Sequence, residues 1–292
     1  MNLEVCIVAY ESEDSLQRAV RSITVMGNNV TVAIHDNSEV ALQLDSVRRL
    51  ADESRMVIRV EHCEDNCGFA RGCNSLARSS TADVLLFLNP DAEILTWPDS
   101  MCASIKGIVG PIVVDNRGRV MPTYGRRRSI LEEFVQRWAR RRPRIPRGEG
   151  YVSGASLLVP RETFVALGGF DERFFMYYED IDLCLRANQA DISVTVEPSW
   201  RVRHEGGHAA SRDRGTALIQ SYDSACYFYA KHGMNVALYR TLCHVDALIR
   251  LALFSIMPSR RNAVRGVRRL LTHLHAASDT TLGLSRRPSR GA

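Results

Sequence analysis

The residues of this sequence best suited to chemistry are two short carboxylate clusters and one histidine-containing stretch. The first cluster is Asp91 with Glu93, directly after Asn89-Pro90; the second is Glu179, Asp180 and Asp182; the third stretch is Arg203-His204-Glu205-Gly206-Gly207-His208. Carboxylates and imidazoles grouped in this way hold a hard divalent cation or take a proton from a hydroxyl. Acidic residues are also favoured electrostatically in the first turn of a helix, so the second cluster has a purely structural explanation as well. Three carboxylates in four residues, framed by five aromatics from Phe170 to Tyr178, exceed what a helix start needs. Two histidines four apart would both be ligands on a helix, but Gly206-Gly207 between them argues for a loop and for one ligand at most.

These side chains need a scaffold, and the hydrophobic pattern supplies one. Val84 to Leu88 is an apolar run long enough for a strand buried on both faces, and Pro90 ends its pairing. Asp91 therefore sits at a strand's carboxyl end, which is the ligand-binding edge of an open α/β sheet. Upstream, residues 3 to 10 read as a first strand, and Ser12 to Asp14 as a polar turn capping a helix through Leu16, Ala19, Val20 and Ile23. Val30, Val32 and Ile34 mark a second strand ending at His35-Asp36-Asn37-Ser38, and Leu42, Leu44, Val47 and Leu50 a second helix. Met56 to Val60 is a third strand. It leads into a loop at 64 to 74, loosened by Gly68 and Gly72, that becomes a helix through Leu76 and Ala77. Repeated strand-helix units in the first hundred residues predict an α/β fold with a mainly parallel, doubly wound sheet. Further strands are expected at 108 to 114, 151 to 160 and 192 to 196. Between them, residues 117 to 147 are arginine-rich and broken by Pro122, Pro143 and Pro146, and are expected to be a mobile insertion with one short helix at Ile130, Phe134 and Trp138.

The chain has 292 residues, 45% of them hydrophobic, enough to bury a full core. Its net charge of +5 hides an asymmetry, since the only lysines are Lys106 and Lys231 and the arginines cluster at 126 to 147 and after 259. Those regions are expected to meet something anionic. Nucleic acid is excluded as that partner: there is no groove-reading element, and both carboxylate clusters would repel phosphate. The eight cysteines are scattered through apolar segments and read as buried free thiols. Cys63, Cys67 and Cys73 are loosely spaced with no second pair at metal-finger distance, so no zinc site is expected there. No secretory signal opens the chain, and the active site is expected to face the cytoplasm. The C-terminal third reads as helical at 216 to 231 and 236 to 257. Arg240, Asp246 and Arg250 interrupt the second stretch, so it fails as a membrane span. It either lies on a bilayer or packs as an ordinary or dimer-forming helix, and both readings stay open. From Ser278 the tail is polar and expected to be disordered.

Several motifs then fall in one order: a first strand ending at Tyr10; Asp36-Asn37-Ser38; Asn66-x-Gly68-Phe69-Ala70 with Asn74; Asn89-Pro90-Asp91; Gly154-Ala155; and a block from Gly168-Gly169-Phe170-Asp171-Glu172 through Glu179-Asp180-x-Asp182-Leu183 to Arg186. Over residues 3 to 232 the chain resembles the family-2 inverting glycosyltransferases of the GT-A fold, and is most similar to their bacterial rhamnosyltransferase-type branch. The resemblance implies a GT-A domain over 1–232, with a nucleotide-binding half (1–115), a basic insertion (116–150) and an acceptor and catalytic half (151–232), followed by a helical extension (233–277) and a tail (278–292). It implies that Ala9 and Tyr10 cradle the nucleotide of a nucleoside-diphosphate sugar, that Asp36 bonds the pyrimidine edge, and that Asn66, Gly68, Phe69, Arg71, Asn74, Asn89 and Pro90 complete the donor site. Asp91 and His204 are the implied ligands of Mg2+ or Mn2+, and Asp180 the implied base, with Glu179 and Asp182 positioning acceptor or helix. The family's Asp-x-Asp metal motif stands here as Asn89-Pro90-Asp91, its first acid replaced by an amide. That departure leaves open a second reading, a sugar-nucleotide-binding relative without turnover. The expected donor is dTDP-rhamnose or a similar deoxysugar nucleotide. The acceptor is expected to be a cell-envelope or polyprenyl-linked glycan, met by peripheral contact with the inner face of the plasma membrane, and a homodimer is a further expectation.

Overall fold

The computed structural model describes residues 1–27, 30–98, 101–103, 105–125, 129–139, 145–205, 213–256 and 261–278. The arginines of 126–128 and 140–144, His208 and the tail from 279, all named above, lie outside them. Contacts divide the chain into two units. The first comprises 1–129, 139–172 and 179–206, and the second 130–138, 173–178 and 207–292.

In the first unit, β1 (Leu3–Ala9) and β4 (Val84–Leu88) are buried along their whole length. Strands with no polar face must be covered on both sides, which is why they belong to the parallel centre of a sheet packed between helices. With β2 (Thr31–Asp36) and β3 (Val57–His62) they form four parallel strands in the order β3-β2-β1-β4. Helices α1 (Glu13–Ile23), α2 (Asp45–Ser54) and α3 (Phe69–Ser79) connect them. Leu16, Ala19, Val20 and Ile23 face the core along α1 as their spacing predicts. Ser12 stands at the start of α1, but its hydroxyl caps nothing. The buried oxygen has no hydrogen-bond partner, and the first turn is closed by the Leu16 N–H on the Ser12 carbonyl at 2.8 Å.

Beyond β4 the sheet departs from the doubly wound pattern. It continues β10-β6-β11-β5, with β5 (Ala92–Thr96), β6 (Ile108–Val114), β10 (Ser156–Pro160) and β11 (Val194–His204). Strand β10 runs antiparallel to both β4 and β6, so the sheet is mixed as well as parallel. The expected strand at 151 to 160 is two, β9 (Tyr151–Val152) and β10, because the chain turns at Gly154-Ala155 between them. Strand β9 leaves the main sheet to pair with β7 (Tyr124–Gly125). The last strand is longer than 192 to 196. It runs to His204, with a register shift against β6 between Glu197 and Arg201. His204 is therefore a strand residue opposite Ala92, which corrects the loop reading based on Gly206-Gly207.

The second unit is helical: α4 (Ile130–Ala139) from the arginine-rich segment, then helices Arg214–Lys231, Val236–Ser255 and Arg261–Ser278. The buried Glu133 carboxylate accepts from Tyr178 at 2.7 Å and Tyr229 at 2.8 Å. Asp246, one of the charges that breaks the apolar run, accepts from the Trp138 indole at 2.9 Å and pairs with Arg250. No helix among the described residues is long and apolar enough to cross a membrane.

Candidate active site

The first acidic cluster meets the histidine because the sheet places β11 beside β5. Asp91 lies in the turn between β4 and β5 and is 6% exposed. The imidazole Nε2 of His204 lies 3.0 Å from Asp91 Oδ1, across a chain separation of 113 residues. The Asn89 amide lies 3.4 Å from the same nitrogen, and the Glu205 N–H reaches the Asp91 carbonyl. Glu93 faces elsewhere, bound by Arg203 at 2.5 Å and Arg18 at 3.5 Å. It is a structural ion pair: the β5–β11 register sets Arg203 directly opposite Glu93, and Arg18 reaches it from α1.

The second cluster reaches the same edge through β10. Asn89 donates its N–H to the Ala155 carbonyl at 3.0 Å, and the next residue back, Gly154, donates its N–H to Asp180 Oδ2 at 2.7 Å. The other Asp180 oxygen accepts from the Ile181 N–H at 2.8 Å. Gly154 lies close to this carboxylate: a Cβ there would stand a tight 3.3 Å from Asp180 Cβ and an ordinary 3.5 Å from the Phe69 ring. A short relay of main-chain contacts thus joins Asp91 and Asp180 across the carboxyl end of β4.

The three carboxylates at the start of α6 (Glu179–Gln189) differ sharply in their surroundings. Asp182 is fully buried against Arg186 at 2.8 Å, and Arg186 also donates to the carbonyls of Leu167 and Gly169. Glu179 is buried with Oε2 lacking a partner. Burial, then the charges of Asp180 and Asp182, hold its carboxyl well above the ordinary range. The residues just before it, Tyr177 and Tyr178, both adopt left-handed φ, 72° and 69°. Each such residue costs about 1–2 kcal/mol, and strain of this kind collects where side-chain direction matters.

At the neighbouring strand ends, Ala9 and Asp36 stand opposite one another, and the Ala9 carbonyl accepts from the Asn37 N–H at 2.8 Å. Asp36 is buried, with one carboxylate oxygen accepting from the Ser38 N–H and the other from the Leu42 N–H. Each oxygen keeps a second lone pair. A cavity of about 610 Å3 opens beside it, with Leu42, Arg48, Val60 and His62 in the wall, a size that suits a nucleobase or small ligand. Tyr10 is 40% exposed, and the orphan hydroxyl of Ser12 lies two residues on.

Residues 4–99 match the family Glycosyl transferase family 2. This stretch is a glycosyltransferase family 2 domain. The chain is 29% identical over 264 residues to the N-acetylglucosaminyl-diphospho-decaprenol L-rhamnosyltransferase of Mycobacterium tuberculosis, covering 78% of this chain and 84% of that one. It is 24% identical over 222 residues to the rhamnosyltransferase WbbL of Escherichia coli K12, covering 70% and 83%. Among solved structures, the mannosyltransferase PcManGT from Pyrobaculum calidifontis, in complex with GDP-Man and Mn2+, matches with a TM-score of 0.55 at 13% identity over 95% of this chain and 86% of that one. GalNAc-T7 with UDP, GalNAc and Mn2+ matches with a TM-score of 0.53 at 16% identity; the match covers 69% of this chain and 42% of that longer one. The fold is GT-A, and the chain is a glycosyltransferase.

Other residues expected in this glycosyltransferase's donor site hold the scaffold. Asn74 is buried and exchanges two hydrogen bonds with the Phe170 main chain, at 2.8 and 2.9 Å, while its amide also reaches Glu172. Arg71 pairs with Glu172 at 3.2 Å. Phe69 packs on Phe170, with ring centroids 6.0 Å apart. The Asn66 side chain accepts from the Gly68 N–H at 3.0 Å, shaping the turn into α3, where Gly68 has a φ of 86°. Pro90 separates Asn89 from Asp91 within the turn.

Proposed function

We propose that this glycosyltransferase transfers rhamnose or a similar 6-deoxyhexose, with inversion, from a nucleoside-diphosphate donor to a polyprenyl-diphosphate-linked or cell-envelope glycan. The observation that carries it is the pairing of Asp91 with His204 on the edge where Asp180 also arrives. The names of the two rhamnosyltransferase relatives support the sugar and, for one of them, the lipid-linked acceptor.

Asp91 and His204 fit a hard divalent ion. Their oxygen and nitrogen atoms are 3.0 Å apart, and neighbouring ligands about 2.1 Å from an octahedral ion are also about 3.0 Å apart. Mg2+ or Mn2+ held there would supply charge stabilisation for the departing diphosphate. Asp180 takes the proton of the acceptor hydroxyl, its carboxylate aimed by the N–H groups of Gly154 and Ile181. Glu179 is held above its ordinary carboxyl range and Asp182 is paired with Arg186, which singles out Asp180 as the base of the three. Asp36 reads the nucleobase at the cavity beside it, and Ala9 and Tyr10 line its approach, so that residues 1–115 serve the donor and 151–232 the acceptor.

The test is transfer from a panel of nucleotide sugars by wild type, Asp91→Ala and His204→Ala, each with and without Mn2+. The expected result is metal-dependent transfer by wild type, a preference for a deoxysugar donor, and loss of metal response in both variants. Undiminished transfer in chelator overturns the metal site. The helix Val236–Ser255 presents Val245, Leu248, Ile249 and Leu253 to solvent, and the next helix carries Arg265 and Arg268. This surface supports contact with an anionic bilayer holding the acceptor. Salt-sensitive binding to anionic vesicles checks it, and a stable dimer that ignores vesicles overturns it.

A further inference from the structure

Apart from the carboxylate edge, a second set of ligand-bearing side chains converges at the ends of β2 and β3. His35 stands near the end of β2, Cys63 directly follows β3, and Cys67 precedes α3. Their ligand atoms all lie within 4.8 Å of one another. His35 Nε2 is 3.5 Å from Cys67 Sγ. Around a tetrahedral zinc-type ion, with bonds of about 2.3 Å to sulfur and 2.05 Å to nitrogen, that separation is about 3.6 Å, and two sulfurs stand about 3.8 Å apart. The trio is therefore within about 1 Å of a ligating arrangement.

The surroundings of His35 match those of a metal-bound imidazole. Its Nδ1 lies 3.3 Å from Glu61 Oε2, the residue directly opposite on β3. With a carboxylate oxygen beside Nδ1, Nε2 is the ring nitrogen that faces the Cys67 thiol. A carboxylate behind the far nitrogen is the usual support of a ligating histidine. The ring is buried at 5% exposure, and bare Gly72 lets it in, since a Cβ on that residue would stand 3.0 Å from His35 Cδ2. Oxygen atoms suited to a fourth position are at hand: Asn37 Oδ1, 3.2 Å from Cys67 Sγ, and the Asp65 carbonyl, 3.1 Å from Cys63 Sγ.

We propose that His35, Cys63 and Cys67 form a binding site for a thiophilic divalent ion of the zinc type, separate from the carboxylate site for a hard cation. Two sulfurs and an imidazole select such an ion over Mg2+. The ion would tie the Asp36-Asn37-Ser38 loop to the start of α3, since Cys67 already contacts Asn37.

Cobalt is the probe. Reduced full-length protein titrated with Co2+ alone is expected to reach one equivalent with visible d–d bands of tetrahedral strength and a thiolate-to-metal band in the near ultraviolet, both bleached by Zn2+. Asp91→Ala is expected to keep these bands, and the Cys63→Ser/Cys67→Ser double variant, checked as folded by circular dichroism, to lose them. Glu61→Gln is expected to weaken Co2+ binding about 10- to 100-fold. Absence of the thiolate band in the reduced wild type, or its persistence in the double cysteine variant, overturns the site.

Discussion

Replacing Asp180 with asparagine separates what this carboxylate does for the fold from what it does for the reaction. In the structure its two oxygens accept one N–H each, from Gly154 at 2.7 Å and Ile181 at 2.8 Å. Asparagine offers one acceptor oxygen, so one of the two donors loses its partner, at a cost of about 1–3 kcal/mol. For a chain of this size that is a fall in Tm of roughly 3–10 °C, too small to unfold the protein in an assay at 25 °C. Losing a general base costs far more: transfer is expected to fall about 100- to 10,000-fold, equivalent to about 2.7–5.5 kcal/mol of transition-state stabilisation. The assay is initial-rate transfer to acceptor at saturating Mn2+, with Tm and nucleotide affinity measured on the same sample. Nucleotide affinity is expected to stay within about threefold of wild type if, as proposed, Asp180 serves the acceptor side. Transfer within tenfold of wild type, or a loss of nucleotide affinity that matches the loss of rate, refutes the assignment of Asp180 as base.

Glu179 should reveal its proton through pH. Its folded-state carboxyl is raised, so its contribution to stability is full below the ordinary carboxyl value of 4.5 and is lost as pH rises towards the folded value, with a slope of at most about 1.4 kcal/mol per pH unit. Glu179→Gln, which mimics the neutral form, is expected to flatten the fall in Tm above pH 5, and parallel curves for variant and wild type would count against a buried neutral acid. Arg186→Ala should remove the ion pair to the fully buried Asp182 together with the hydrogen bonds to the Leu167 and Gly169 carbonyls, and destabilise by about 3–5 kcal/mol in urea unfolding. A cost under 1 kcal/mol would show that Asp182 does not depend on Arg186.

The parallel half of the sheet was legible in the sequence because its strands are continuous apolar runs separated by amphipathic helices. The strand ends that carry Asp36 and Asp91 were legible for the same reason, since a run that stops at a polar turn marks its own edge. What escaped was pairing over long range. Strand β5 alternates buried Ala92 and Ile94 with Glu93 and Leu95, a five-residue pattern too short to stand out beside the chemistry of Asp91. The β9–β10 turn hides in a ten-residue apolar stretch, where Gly154 signals close approach without naming Asp180 as the neighbour. His204 looked like a loop residue because the glycines after it were given more weight than the β-branched run before it. The thiols Cys63 and Cys67 stand out in the sequence but without a companion at metal-finger spacing, because His35 comes from a different strand and no local spacing rule connects it to Cys63.

Strand β11 is the last of the sheet in sequence, yet it sits between β6 and β5, and among the described residues it is the sole neighbour of β5. During synthesis, a nascent chain can therefore pair β1 to β4 early, while β5 waits for its strand partner until residue 204 has been made. Closing such a distant pairing is a slow, late event in folding. The Asp91–His204 pair is consequently assembled by the same step that completes the sheet, and a prematurely terminated or clipped chain ending before His204 has no means of completing it.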